Sequence, residues 1–383
     1  MRSGIRLVKS SIFLLHLFQD MKKIFVSFIC SIFLFLVALA QEEENQVNYK
    51  VHVFYYGWFG NPEFDGKYNN WNHPIVPHWI DTTWNNAGNY PGGDNIGANF
   101  YPELGCYSSN DPDIIARHMK LIREAGIGVL AISWWGKNSY TDKSVPLYLD
   151  LAQKFGLKLT FHIEPVYKTI EQFREIVEYI SSEYKNHPAF FKHNGKPFYY
   201  IYDTGKVKYP EWHKLLGKDG ELSIRNTPLD GTFIGHWERE RDGGFILQSG
   251  FDGFYTYYAS EGYMYGSTSS NWPILAEFAK QNNLLFIPCP GPGYIDTRIR
   301  PWNDKNTEDR DNGNYYEKMF RNAAAVHPDY IGITSFNEWH EGTQIEPAVP
   351  KSIPTFTYED YGKEVEPSFY IKKTKELIDK YFK

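Results

Sequence analysis

Asp111-Pro112-Asp113-Ile114-Ile115-Ala116-Arg117-His118-Met119-Lys120-Leu121-Ile122-Arg123-Glu124-Ala125 leads through Gly126 into Ile127-Gly128-Val129-Leu130-Ala131-Ile132-Ser133-Trp134-Trp135. An Asp-Pro cap opens a helix here, and a short continuous apolar run follows it, which is the reading of a buried strand. The pattern then repeats, with Pro146–Phe155 helical and Leu157–Ile163 a second apolar run. Alternation of this kind predicts βα units around a parallel sheet. Working outward, eight such runs can be placed: Val51–Tyr56, Ile127–Ser133, Leu157–Ile163, Phe198–Tyr202, Phe233–His236, Gly253–Tyr257, Leu284–Pro288 and Tyr330–Ser335. Helices are further expected over Thr169–Tyr184, Trp272–Gln281 and Tyr315–Val326, while the stretch from Phe198 to Tyr257 is rich in loops and short of clear helices. Eight strands predict an α/β fold, a single (β/α)8 TIM barrel whose long βα loops form an open cleft.

The chain of 383 residues suits one such barrel, and its 31 Gly and 22 Pro are scattered between periodic segments as loop punctuation. Ahead of the barrel, Met21-Lys22-Lys23 precedes an uncharged apolar run, Ile24 to Ala40, closed by Ala38-Leu39-Ala40. That predicts a signal peptide over residues 1–40, with 1–20 an over-extended start, and a catalytic domain over 41–383. The expected location is exported, in the periplasm or at the cell surface of a bacterium, with no stable membrane insertion once the signal is cleaved. Without residues 1–40 the balance is 35 basic against 45 acidic side chains, a net charge near −10. No basic block survives, so no nucleic-acid partner is expected. Cys106 and Cys289 then remain; so sparse a set is no disulfide framework, and both are expected to be free.

In a barrel, chemistry belongs where strands end and βα loops begin. Those ends carry Tyr55, Tyr56 and Trp58, then Trp134 and Trp135, then His162 and Glu164, then Tyr257 and Tyr258. The last strand ends in Ser335-Phe336-Asn337-Glu338-Trp339-His340-Glu341-Gly342. Rings with acids beside them suit sugars, whose C–H faces lie on aromatics while their hydroxyls seek charged acceptors. Glu338 and Glu341, three residues apart in a turn, can approach the roughly 5–5.5 Å of a retaining glycosidase pair. A cation on Glu338, His340 and Glu341 is the competing reading, but the run lacks the His-Glu-x-x-His spacing and no Asp-rich loop accompanies it, so no metal and no cofactor are expected. Pro165 favours an extended Glu164, which would turn its carboxylate toward ligand hydroxyls.

Val51-His52-Val53-Phe54-Tyr55-Tyr56, Trp71-Asn72-His73-Pro74, Phe100 to Gly105, Ser133-Trp134-Trp135, Phe161 to Pro165, Gly291 to Thr297, Ile299 to Asn303 and Ser335 to Glu346 together resemble glycoside hydrolase family 99, the endo-α-1,2-mannosidases and endomannanases. The resemblance extends from about Tyr49 to Leu377. It implies endo cleavage of α-1,2-mannosidic bonds with retention, through attack of the substrate's own O2 on C1 to give a 1,2-anhydro sugar. It implies Glu338 as the base at O2 and Glu341 as the acid at the leaving oxygen, with Tyr55, Trp135, Glu164, Tyr257 and Asn337 binding substrate. Trp135 stands where vertebrate members carry Tyr and agrees with bacterial ones. That favours α-mannan or high-mannose oligosaccharide over a glucosylated N-glycan releasing a glucose-capped disaccharide. A sugar-binding protein on an inactive barrel is the reading from another class.

Overall fold

The computed structural model describes residues 46–382 apart from 79, 86, 363 and 364. The expected signal peptide therefore lies outside the described residues. Residues 47–383 form one compact unit. Its eight parallel strands are β1 Asn48–Tyr55, β2 Ile127–Trp134, β3 Lys158–Ile163, β4 Lys196–Ile201, β5 Thr232–His236, β6 Gly253–Tyr255, β7 Leu285–Ile287 and β8 Ile331–Ile333. Each sits on one of the eight apolar runs. Neighbours pair in chain order from β1 to β7, and β8 returns beside β1 with Val51 opposite Ile331. The ring closes between β7 and β8, where the Gly332 N–H donates to the Pro288 carbonyl at 3.2 Å and Thr334 N–H to that of Pro290 at 3.0 Å.

Burial on both faces explains why these strands read as unbroken apolar runs. All eight residues of β2 are buried. Gly128 is there because β1 comes so close that a Cβ would sit 2.6 Å from the Asn48 carbonyl oxygen. A helix follows every strand: α1 Pro112–Glu124, α2 Val145–Lys154, α3 Ile170–Glu183, α4 Tyr209–Leu216, α5 Asp242–Ser249, α6 Trp272–Gln281, α7 Asn314–Ala325 and α8 Phe369–Tyr381. The Asp111 side chain caps α1 by accepting from the Asp113 N–H, and Ile115, His118, Met119 and Ile122 make its buried face. Three helices correct the sequence expectation. α4 and α5 occupy the stretch read as loops, each only eight residues long, with Gly243 and Gly244 in the first turn of α5 masking its pattern. α8 completes the ring after β8.

The barrel interior is filled with rings. His52 and Phe54 of β1 point inward with Phe198 and Tyr200 of β4, and the Tyr200 hydroxyl meets His52 Nδ1 at 2.8 Å. Strand alternation sends the residue after Phe54 outward, which decides what Tyr55 can do.

Candidate active site

The segment from Ser335 to Glu346 leaves β8 through a cis Thr334–Ser335 peptide and folds back on itself. Ser335 N–H donates to the Thr343 carbonyl at 2.9 Å, and Ser335 Oγ accepts from the Glu338 N–H at 2.8 Å. Trp339–Glu341 form a single 3-10 turn, and the Glu338 carboxylate receives the His340 N–H at 3.1 Å. Beneath this turn lies the buried carboxylate of Glu346. It accepts from Trp339 Nε1 at 2.9 Å and the Tyr107 hydroxyl at 2.8 Å, and pairs with His118 Nε2 at 3.0 Å. From another side Arg310 donates to the Gly342 and Gln344 carbonyls, both at 2.8 Å, while its guanidinium lies among the rings of Phe100, Tyr361 and Tyr370. A buried cation with aromatic and carbonyl partners holds the loop, with no carboxylate paired to it among the described residues.

Above the loop is a cavity of 580 Å³ at the C-terminal end of the barrel, into which Glu338, Glu341, Glu164, Trp135 and Tyr257 all project. Five of the seven expected site residues are thus brought together. Tyr55 is not. Its ring faces outward onto Phe336, and its hydroxyl meets His118 Nδ1 at 2.8 Å, so it packs between the sheet and α1. Tyr56, one position on, enters the cavity in its place and touches the Tyr257 hydroxyl. Asn337 is also corrected, because its amide is spent on the scaffold. Oδ1 accepts the Tyr56 N–H at 2.7 Å, and Nδ2 donates to the Tyr56 carbonyl at 2.9 Å and to the Tyr107 hydroxyl at 3.2 Å. It fastens the end of β1 to the loop after β8, is fully buried, and does not line the cavity.

Sequence reasoning placed Tyr56 at a strand end facing the cleft without assigning it to substrate, and missed His73, Tyr202 and Arg300 as cavity residues. Arg300 sits in the loop after β7, held at 2.9 Å by the buried Asp296, and its Nη1 is 3.5 Å from Glu341 Oε1. Its chain position next to Pro301-Trp302 marked a motif but did not point at the acids. On the β2–β3 side, Trp135 Nε1 donates to Ser133 Oγ at 3.1 Å, and Ser133 donates to Glu164 Oε1 at 2.7 Å. His162 lies 3.3 Å from the same Glu164 oxygen and bonds the Tyr255 hydroxyl at 2.7 Å.

Burial dominates the electrostatics. It pushes Glu338 up to about 8, against the His340 N–H and Arg300, which pull the other way. Glu341 is likewise raised to about 8 by burial, opposed by Arg300 and assisted by the Glu338 charge. His340 and His73, whose rings are 4.4 Å apart, are driven down to about 3 by burial and are neutral. Among the described residues no three His, Cys, Asp or Glu side chains are arranged to hold a metal ion. Cys106 and Cys289 are unbonded, and burial raises both thiols to about 12.

Residues 46–383 match the sequence family described as glycosyl hydrolase family 99. The mouse protein named glycoprotein endo-alpha-1,2-mannosidase is 49% identical over 359 residues, covering 89% of this chain and 77% of its own length. Its Xenopus laevis counterpart is 48% identical over 360 residues, covering 90% and 80%. The solved GH99 endo-alpha-mannosidase of Bacteroides thetaiotaomicron superposes with a TM-score of 0.85 at 46% identity, covering 88% of this chain and 98% of that one. Family match, relatives and solved structure point the same way: this chain is a glycoside hydrolase belonging to glycosyl hydrolase family 99.

Proposed function

We propose that the enzyme hydrolyses α-1,2-mannosidic linkages within α-mannan or high-mannose glycans, with retention and through the substrate's own 2-hydroxyl. The observation that carries this is the pair Glu338 and Glu341, two carboxyls on one rigid loop, both raised to about 8 and both open to one cavity. A raised carboxyl is a stronger base when ionised and a ready acid when protonated near neutral pH.

In an α-mannoside the axial O2 stands anti to the leaving group. Glu338 removes the O2 proton, the freed electron pair forms the O2–C1 bond, and the C1–leaving-group bond breaks. Its electron pair goes to the leaving oxygen, which takes the proton of Glu341. Water then opens the 1,2-anhydro ring at C1, giving a proton to Glu341 while O2 recovers its own from Glu338. Tyr56, Tyr257, Glu164 and Trp135 bind the sugars, and the Arg300 guanidinium, 3.5 Å away, keeps the Glu341 carboxyl on station.

Mannan or high-mannose chains as substrate are favoured by Trp135, whose large indole face is open to the cavity. A second reading has its own support. The vertebrate relatives are glycoprotein endo-alpha-1,2-mannosidases, so release of a glucose-capped disaccharide from N-glycans remains the rival substrate choice. Sizing the products from yeast mannan and from glucose-capped N-glycan decides between them; release from neither sinks the activity. Export to a bacterial periplasm or surface, with residues 1–40 removed, is supported by the Ile24–Ala40 run. N-terminal sequencing of the protein from its native host tests it, with a start near Gln41 expected.

A further inference from the structure

The hydrogen bonds around Ser133 admit only one arrangement of protons. Trp135 Nε1 carries a hydrogen and no lone pair, so at 3.1 Å the Ser133 oxygen must accept from it. The single Ser133 hydrogen is then free for Glu164 Oε1, 2.7 Å away, a length typical of a hydroxyl bound to a carboxylate. Ser133 itself is 1% exposed and lies at the end of β2, between the half-exposed indole and the buried acid. Both partners line the cavity and Ser133 does not. The hydroxyl thus joins two glycan-facing side chains from behind.

We propose that Ser133 is a positioning residue for specificity, locking Trp135 and Glu164 into one unit so that two adjacent sugars are recognised together. The proposal rests on the glycan reading of this cavity given above. With its N–H committed to Ser133, the indole can offer a sugar only its ring, and it is held at a fixed tilt. Glu164, with one oxygen held by Ser133 and 3.3 Å from His162, keeps its second oxygen for a substrate hydroxyl. Loss of the Ser133 hydroxyl frees the indole to turn and deprives Glu164 of its shortest bond. The acids on the loop after β8 are untouched by this change.

The test uses an activated aryl α-1,3-mannobioside, whose reacting mannose keeps its 2-hydroxyl free, with Ser133→Ala, Ser133→Thr, Trp135→Phe and the Ser133→Ala/Trp135→Phe pair. Losing one charge-assisted bond and the order it imposes should raise KM about tenfold in Ser133→Ala, with kcat within about threefold of wild type. Ser133→Thr, which keeps the hydroxyl, should restore KM to within about threefold. Trp135→Phe keeps a ring and removes the N–H, so the paired variant should bind no worse than about twofold below Ser133→Ala alone. Unchanged KM in Ser133→Ala, a loss confined to kcat, or fully additive effects would each overturn the proposal. If Ser133→Ala does not fold, Ser133→Cys, of similar size and with a weak donor, should give an intermediate KM, and a wild-type KM there overturns it equally. A wild type inert on both this substrate and mannan rejects the glycosidase reading instead. The same variants, titrated calorimetrically with α-1,3-mannobiose, then still decide for or against Ser133.

Discussion

Arg300 Nη1 stands 3.5 Å from Glu341 Oε1, yet Glu341 is held well above the ordinary carboxyl range. The guanidinium is shared, its shorter contact being the 2.9 Å bond to Asp296. Burial therefore outweighs it at Glu341, and the acid keeps its proton near neutral pH. Arg300 also pulls Glu338 downward. The proposed mechanism needs Glu338 ionised and Glu341 protonated, so the rate should rise with pH as the pair loses its first proton and fall as it loses the second. Arg300→Gln removes a charge that favours both ionised forms. Both limbs of the kcat/KM profile should move to higher pH, by about one unit. A profile that stays in place, or moves down, would show that Arg300 does not act on the pair.

The two acids should separate by leaving group. Glu338→Gln and Glu341→Gln should each lose on the order of 10²–10⁴ in rate on natural substrate while still binding it. An aryl glycoside with a very good leaving group should partly rescue Glu341→Gln alone, since the proposed mechanism takes the leaving-group proton from Glu341 only. Equal rescue of both variants refutes the division of roles.

The raised Glu338 also has a cost in stability, with a definite sign. Its carboxyl titrates near 4.5 when unfolded and about 8 when folded. Its contribution to stability is then complete below about pH 4.5 and is lost as pH rises through about 8. A glutamine cannot ionise. Glu338→Gln should be close to wild type in stability at about pH 4.5 and more stable by on the order of 2–4 kcal/mol at about pH 9. Urea denaturation at the two pH values checks this, and a constant difference between the proteins would contradict it.

Trp135 should set the preference for the sugar beyond the cleaved mannose. An equatorial 2-hydroxyl facing an indole whose N–H is already engaged would go unpaired, costing about 1–3 kcal/mol. Mannose-capped trisaccharide should thus be cleaved about ten- to hundredfold faster than the glucose-capped one, and Trp135→Tyr should narrow the ratio. A wild type that prefers the glucose cap removes Trp135 from the account.

The strands were legible because each is buried on both faces and so appears as an apolar run; even the three-residue β6, β7 and β8 are buried or nearly so. α4 and α5 escaped because eight residues give barely two turns of periodicity, and Gly243-Gly244 weakens even that. Glu338 and Glu341 could be found because they are local in sequence. Tyr55 and Tyr56 could not be told apart, since which of two adjacent rings faces inward depends on the register of Phe54 inside the barrel. Asn337 carries the polar group expected of a ligand contact, but its partner is the Tyr56 backbone, 281 positions away in the chain. Arg300 and His73 reach the cavity from long loops, and only tertiary structure brings them to the acids.

The clasp between Asn337 and Tyr56 also says when this enzyme becomes an enzyme. It joins the first strand to the loop after the last, and Glu346, just beyond, braces the turn that carries both acids through Trp339. A nascent chain that has emerged only as far as β7 holds Trp135, Glu164 and Tyr257 but neither acid. On the proposed roles, catalytic competence therefore arrives only when β8 pairs with β1 and the loop after it docks on Tyr56, and turnover is itself a gauge of that docking.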